Sequence, residues 1–528
     1  MSAASVPLSG AGMEAERPAI NPWIIALAVT LATFMEVLDT SIANVALPHI
    51  AGGLSAGVDE STWVLTSYLV SNAIVLPLSG WLSSIMGRKR FYMTCVALFT
   101  VSSFLCGFST SLGMLIFFRV MQGIGGGGLQ PSEQAILADT FPPAKRGMAF
   151  AVYGVAVVTA PALGPTLGGW ITDNYSWRWI FFINIPVGIL SLLLTSRLIQ
   201  DPPYFRRRKL SETKIDYIGL GMVALGLGTL QVVLDKGQRD DWFDSHFILA
   251  LSLISAAALI FVVLWEWHHK DPIIDLHLFK ERTFAAANFL MFMLGFVLLG
   301  STLLLPLFMQ TLLGYTAERA GMALTPGGLV IMAILPFVGF LLSKYDARRL
   351  MVFGLASLSL ALFHMTHFDL QIDFHTAMMA RIYQAAGLAF LFVPINTAAY
   401  AYLPREKNNA ASGLMNLARN IGGSVGISFV TTILERRQQF HRVQLSSHLS
   451  AANPDLRRTV AGLAAQMGGV GADGLHKAYA LVENMVARQA SMLAYIDCFW
   501  LLAVSSLVMI PLVFVMKKTK PGGPMAAH

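Results

Sequence analysis

Long apolar runs separated by short polar turns repeat from one end of the chain to the other. They fall near 23–47, 61–82, 91–109, 112–138, 147–171, 178–199, 216–234, 246–266, 284–309, 320–342, 350–366, 376–402, 410–434 and 490–516. Each is about the length an α-helix needs to cross the roughly 30 Å hydrocarbon core of a bilayer. A chain with fourteen such runs is expected to be an all-α polytopic membrane protein, because only helices and closed barrels satisfy their backbone polar groups in lipid. Composition agrees: 55% of the 528 residues are hydrophobic and 13% are charged, against roughly 25% charged in soluble domains. Residues 1–21 carry Glu14, Glu16 and Arg17 with no apolar core and cleavage site, so the first run is expected to remain as an anchor.

The polar turns carry the orientation. Basic residues cluster in every second one: Arg88, Lys89 and Arg90; Lys145 and Arg146; Arg206, Arg207, Arg208, Lys209 and Lys214; Lys270, Lys280 and Arg282; Lys344, Arg348 and Arg349; Arg405 and Lys407; and the tail residues Lys517, Lys518 and Lys520. The turns 48–60 and 367–375 have no Lys or Arg. The positive-inside rule then places both termini in the cytoplasm. It also explains the net charge of +7 without nucleic-acid binding. The segment 435–488 departs from the rule, holding Arg436, Arg437, Arg442, Arg457 and Arg458 on the opposite side. Long loops largely escape the rule. Asn453-Pro454 breaks the segment, and 455–467 and 475–489 read as two short amphipathic helices.

Two stretches repeat. Arg119-Val120-Met121-Gln122-Gly123 leads to Pro131 and ends in Pro142-Pro143-Ala144-Lys145-Arg146. Arg381-Ile382-Tyr383-Gln384-Ala385 leads to Pro394 and ends in Pro404-Arg405-Glu406-Lys407. Matching landmarks imply two homologous six-helix bundles, 23–200 and 284–516, with a linker 201–283 that holds two surplus spans and tails at 1–22 and 517–528. Parallel duplicated halves are the architecture of rocking secondary transporters.

Charges inside the runs mark the candidate chemistry. A carboxylate at mid-membrane costs roughly 2.5–3.5 kcal/mol on insertion scales, so Asp39 and Glu36, three residues apart on one helical face, suggest a proton or cation site. A hydrogen bond to a neighbouring helix is the plainer alternative for each. Arg119 is equally costly unless paired or wet. It reads either as the electrostatic partner of an acid or as an interfacial snorkel, and Gly123, Gly125, Gly126, Gly127 and Gly128 after it imply close helix approach. In the fifth run Gly154, Pro161, Gly164, Pro165, Gly168 and Gly169 imply a kink and a smooth face at the interface between the bundles. Gly80, Gly87, Arg88 and Lys89 form a tight basic turn. Gln130, Glu133, Asn288, Asn396, Asn416, Arg419 and Asn420 are candidates for the wall of a central cavity, a packed interhelical hydrogen bond being the alternative for each. Cys95, Cys106 and Cys498 lie in apolar runs and read as small hydrophobes. No metal-ligand spacing and no nucleophile–base constellation appears.

Leu38-Asp39-Thr40-Ser41-Ile42-Ala43-Asn44-Val45-Ala46-Leu47-Pro48, the Arg119 run and the proline-glycine run of the fifth span together resemble the major facilitator superfamily, in particular its fourteen-helix drug:proton antiporters. Trp177–Pro186, Pro272–Phe279 and Gly314-Tyr315-Thr316-Ala317 resemble further signatures of that family, and the likeness runs from 23 to 516. The long loop after span thirteen makes the EmrB-type pumps the most similar. Ser84 and Ile85 stand where the family's basic turn usually has an acid and a base, and Glu36 where similar pumps often have an amide. The resemblance implies proton-driven efflux of hydrophobic and amphiphilic compounds across a bacterial inner membrane. Asp39, Glu36 and Arg119 would couple the proton, and a periplasmic adaptor and an outer-membrane channel would be partners. The proton gradient would be the energy source, with no metal, no cofactor and no enzymatic step. A dedicated metabolite or siderophore exporter on the same fold is the alternative function. An intramembrane enzyme and a channel are the more distant ones.

Overall fold

The computed structural model describes residues 21–201, 216–269, 272–447, 449, 453–466 and 472–518. The N-terminal tail and Arg206, Arg207, Arg208, Lys209, Lys214, Lys270 and Lys520 lie outside the described residues. Within them the chain is a bundle of helices: α1 Pro22–Gly53, α2 Trp63–Met86, α3 Arg88–Gly107, α4 Leu112–Gly126, α5 Leu129–Thr140, α6 Pro143–Asn174, α7 Asn184–Leu198, α8 Tyr217–Lys236 and α9 His246–His268. The second part comprises α10 Arg282–Thr311, α11 Ala317–Leu341, α12 Ala347–Met365, α13 Phe374–Ala399, α14 Asn408–Ser447, α15 Pro454–Gln466 and α16 Ala472–Val508. Thirteen helices are long and apolar enough to span a membrane, and α6, bent by 42° between Pro161 and Leu163, makes up to fourteen. The starts follow the sequence. Asn21, Ser111, Asp216, Glu281, Thr316 and Asp373 each accept a hydrogen bond from a first-turn N–H, satisfying donors that the helix leaves orphaned.

The repeat reappears as pairing. In the first half α1 lies along α6 and α7, α2 along α4, and α3 along α4 and α7; in the second, α10 lies along α14 and α16, α11 along α13, and α12 along α13 and α16. The halves meet where α6 crosses α11 and α13, and where α2 and α5 cross α14. The surplus helix α8 lies on α9 and also touches α2 and α14, one from each half.

Three local expectations change. The basic turn is one residue long: α2 runs to Met86 and α3 starts at Arg88, with Gly87 between them at φ +86°. A left-handed residue both ends one helix and starts the next, which glycine alone does without strain. Gly80 is not in the turn but inside α2, where an added Cβ would come within 2.7 Å of Ala410 Cα across the halves. The segment 435–488 is not a loop bearing two free amphipathic helices. The helix of span thirteen continues to Ser447, because nothing between 435 and 447 is Pro or Gly, and 475–489 is the first part of the 37-residue α16. Among the described residues of the segment only α15 is a separate short helix, and its Leu456, Val460 and Ala464 pack on Ala478 and Val482 of α16. Helices of 40 and 37 residues are about 60 and 55 Å long at 1.5 Å per residue, well beyond the membrane core.

Candidate functional site

Asp39, in the middle of α1, is 2% exposed, and Arg119 of α4 is 0% exposed. They form an ion pair of 2.6 Å between Arg119 Nη1 and Asp39 Oδ2. The pair is enclosed by polar groups that bond every polar atom of it except Arg119 Nη2, which is buried without a partner. Gln122 Nε2 and Asn184 Nδ2 donate to Asp39 Oδ1 at 3.0 and 2.7 Å. Arg119 Nη1 also donates to Gln122 Oε1 at 2.8 Å, and Nε to the Val64 carbonyl at 3.1 Å. The guanidinium lies over the Tyr68 ring, 4.3 Å from its centroid. Four helices of one half, α1, α2, α4 and α7, thus converge on two charges, the condition under which buried ions are tolerated. Arg119 is no snorkel. Gln122, which bonds both members of the pair, and Asn184, which bonds Asp39, are not among the residues the sequence singles out. Gln122 had a signal, since Arg-x-x-Gln recurs in the repeat. Asn184 arrives only through tertiary packing.

Helix α6 shapes one side of this site. Pro165 has no N–H, so the Pro161 carbonyl loses its helical partner, and Ser41 Oγ donates to that carbonyl at 3.2 Å. Gly164 admits Ser41, and a Cβ on Gly168 would come within 3.1 Å of Ile42. Gly154 faces the other half, where a Cβ would come within 3.0 Å of Phe392. Gly169 faces open space. The proline-glycine run therefore divides between seating α6 on the Asp39 helix and meeting the second half.

Glu36 does not join the ion pair. Its Oε1 accepts from Tyr68 Oη at 3.0 Å and Asn72 Nδ2 at 3.4 Å, and its Oε2 from Gln130 Nε2 at 2.6 Å. Gln130 Oε1 in turn accepts from Tyr153 Oη at 3.0 Å and from Arg419 Nη2 of the second half. Tyr153 Oη is also 3.4 Å from Asn416 Oδ1, Asn416 Nδ2 donates to Gln134 Oε1 at 3.1 Å, and Asn420 Nδ2 donates to Asn72 Oδ1 at 3.3 Å. One polar chain therefore crosses the centre of the molecule from Glu36 to Arg419. Glu133 points elsewhere: its Oε1 accepts from Thr30 Oγ1 at 2.6 Å and its Oε2 is buried without a partner. Asn396 donates to the Phe392 carbonyl of its own helix, and Asn288 Oδ1 is buried without a partner, so neither joins the chain.

At the Gly87 end the halves are fastened. Arg88 pairs with Asp139 and donates to the Arg405 carbonyl at 3.3 Å. Asn408 Nδ2 donates to Asp139 Oδ1 at 3.0 Å, and Asn409 Nδ2 to the Ser79 carbonyl at 2.8 Å. Lys89 binds the linker side instead, its N–H donating to Asp201 Oδ1 at 2.9 Å. The acid of this cluster, Asp139, sits far along the chain from Arg88, which is why the turn, with Ser84 and Ile85, looked short of a partner.

Two helical bundles with charges buried at mid-depth and a polar chain between them define a membrane carrier of the two-bundle type. The Major Facilitator Superfamily model matches residues 29–427, and the chain belongs to that family. It is 37% identical over 508 residues to the Multidrug export protein EmrB of Escherichia coli strain K12, covering 96% of this chain and 98% of that one. It is 37% identical over 514 residues to the Fatty acid resistance protein FarB of Neisseria gonorrhoeae, covering 97% of each. Among solved structures, the proton:xylose symporter XylE superposes with a TM-score of 0.60 at 15% identity, covering 96% of this chain and 97% of that one, a likeness of fold alone. The protein is a multi-pass protein of the inner membrane.

Proposed function

We propose that this protein is a proton-coupled exporter of hydrophobic and amphiphilic compounds. The observation that carries the reading is the Asp39–Arg119 pair, at 2.6 Å and sealed from solvent. The pair balances its own charge, and a carboxylate parted from its cation in a low-dielectric interior needs another positive charge. If rocking of the halves changes the distance between the two groups, Asp39 takes a proton facing one side of the membrane and gives it up facing the other. Coupling requires that proton and cargo differ in affinity for the two states. The chain from Glu36 through Gln130 to Arg419 supplies that link, because cargo entering the centre must displace bonds on both halves at once.

The relatives named for multidrug export and fatty acid resistance support a cargo that dissolves in membranes. The basic end, fastened by Arg88 and Asp139, is the cytoplasmic one in this reading, with both termini beside it. Helices α14, α15 and α16 then project into the periplasm, where they offer a platform to a membrane-fusion adaptor feeding an outer-membrane channel. The deciding experiment is uptake of a panel of cationic, neutral and anionic amphiphiles into inside-out vesicles, with an imposed pH gradient and with an uncoupler. Accumulation of several unrelated compounds that collapses with the gradient supports the proposal. Accumulation of a single metabolite class points to a dedicated exporter, and accumulation indifferent to the gradient overturns proton coupling.

A further inference from the structure

The two halves carry opposite buried charges. The runs 284–309, 320–342, 350–366, 376–402 and 410–434 contain no Asp or Glu, and 490–516 contains Asp497 alone, which Arg437 and His441 hold at 2.5 and 2.7 Å. The same runs contain Arg381 and Arg419. Arg419 reaches Gln130, as described. Arg381 stays in its own half, 7% exposed, and no carboxylate among the described residues pairs with it.

Its surroundings repeat the Asp39 site with the acid missing. Arg381 Nη1 donates to Gln384 Oε1 at 2.7 Å, as Arg119 does to Gln122. Gln384 Nε2 donates to Ser301 Oγ at 2.5 Å, where Gln122 donates to Asp39. Arg381 Nη2 donates to Thr302 Oγ1 at 3.0 Å. In place of the first half's carboxylate, α10 thus presents two hydroxyls. Arg381 Nε is buried with no partner. The Thr302 hydroxyl receives from Arg381, and among the described residues its own hydrogen has no acceptor. Thr302 is half-buried, so the edge of the guanidinium formed by Nε and Nη2 lies one side chain from accessible space. Gly327 of α11 makes room for the arginine stem, since a Cβ there would come within 3.0 Å of Arg381 Cγ.

A buried cation left without a counter-charge is costly, and an arginine edge with free donors fits a planar oxyanion held by two bonds. We propose that Arg381, Thr302 and Gln384 form an anion site in the second half, and that it takes one negatively charged group. Resting on the exporter reading, the group is the carboxylate of an amphiphilic cargo; a small inorganic anion shares the chemistry. The transporter would then neutralise its mid-membrane charges by different means in each half: an acid of its own for Arg119, a visiting anion for Arg381.

The test measures binding to the purified full-length protein in neutral detergent, with no gradient, so that it reads the site whether or not proton coupling holds. Decanoate, decyltrimethylammonium and chloride are the probes. The variants are Arg381→Gln, Arg381→Lys and Thr302→Asp, the last of which supplies the missing acid in place. The wild type should bind decanoate ten- to a hundredfold more tightly than Arg381→Gln or Thr302→Asp, the range expected for losing a charge-assisted bond pair. Arg381→Lys should retain part of that affinity, and decyltrimethylammonium binding should not fall in any variant, which also reports that each is folded. Chloride that raises the melting temperature of the wild type but not of Thr302→Asp, with decanoate indifferent to the variants, upholds the site and assigns it to an inorganic anion. Equal responses of wild type, Arg381→Gln and Thr302→Asp to both anions overturn it.

Discussion

Asp39 and Glu36 are one helical turn apart, yet the structure gives them different company, and their substitutions should behave differently. Asp39 ends in an enclosed cage with Arg119, Gln122 and Asn184. Asp39→Asn should insert and fold, because an amide can still meet Gln122 and Asn184, but uphill export should fall about a hundredfold or more, since a charge-assisted pair of roughly 3 kcal/mol is gone and no proton can be exchanged. Gradient-driven vesicle uptake checks this, and full uptake by a well-expressed variant would remove Asp39 from the coupling role. Arg119 also binds the Val64 carbonyl through Nε, a bond that the ammonium of lysine cannot reproduce together with the Asp39 contact. Arg119→Lys should therefore lose most coupling, and Arg119→Ala all of it; wild-type uptake with lysine would argue for a merely structural cation. Glu36→Gln keeps one acceptor, for Tyr68 and Asn72, and loses the one that receives from Gln130; with no ion pair to lose, its effect should be smaller than that of Asp39→Asn and should fall mainly on cationic compounds, which a competition series over cargo charge would reveal. The charges themselves were legible in the sequence, because lipid makes every buried ion conspicuous. Their partners were not. Asn184, Asp139 and Tyr153 are ordinary residues until the fold brings them to a charge.

At the scale of the element, small residues decide where helices touch. Gly80 of α2 lies against Ala410 of α14 at the fastened end. Gly80→Leu should leave each half folded but keep this end from closing, so that transport is lost while thermal stability changes little. A cysteine pair at positions 79 and 409, whose native residues bond at 2.8 Å, should crosslink in the parent and not in the Gly80→Leu background; equal crosslinking in both would show that the contact is not needed for closure. Arg88 and Asp139 belong to the same end, each side chain nearly buried. Asp139→Ala strands a guanidinium and should cost about 3–5 kcal/mol, visible as a lower melting temperature, whereas replacing both residues should cost less than replacing one. The apolar runs foretold most helices to within a few residues because lipid enforces both length and composition. Where water begins, that signal stops. Nothing in 435–447 looks membranous, so the continuation of α14 to Ser447 had to come from helix propensity alone, and α16 likewise swallowed what read as an independent helix.

For the whole molecule, the end of α14, all of α15 and the start of α16 form a helical stalk outside the apolar runs 410–434 and 490–516. The apolar face of α15 is spent on α16, so under the proposed adaptor role a partner would meet the polar faces. Arg442 pairs there with Glu483, and at the foot of the stalk Arg437 pairs with Asp497 of the run 490–516. Deleting about 450–485 and joining the ends through a flexible linker long enough to span them should spare vesicle transport but abolish adaptor pull-down and cellular resistance. Adaptor binding that survives the deletion would leave the stalk as a cap. The duplication was readable from two matching Arg-x-x-Gln runs. That the copies differ in charge, one with an acid and one without, became visible only when Ser301 and Thr302 were seen to occupy the position of Asp39.

The inserted helix α8 breaks the symmetry in a second way. It is bonded to α2 through Asp235 with Thr66 and through Lys236 with Thr62 at 2.8 Å, and to α14 through Gln231 with Ser424 at 3.0 Å. The turn after it adds Trp242 with Thr432, also at 3.0 Å. Parting α2 from α14 at this end means breaking the bonds on one side of α8, about 1–3 kcal/mol for two of them. Among the described residues no inserted helix bridges the matching contact of α6 with α11, where Gly147 and Gly339 bring the two backbones together. If cargo enters between the halves from the bilayer, it should therefore pass α6 and α11 more easily than the side that α8 bridges.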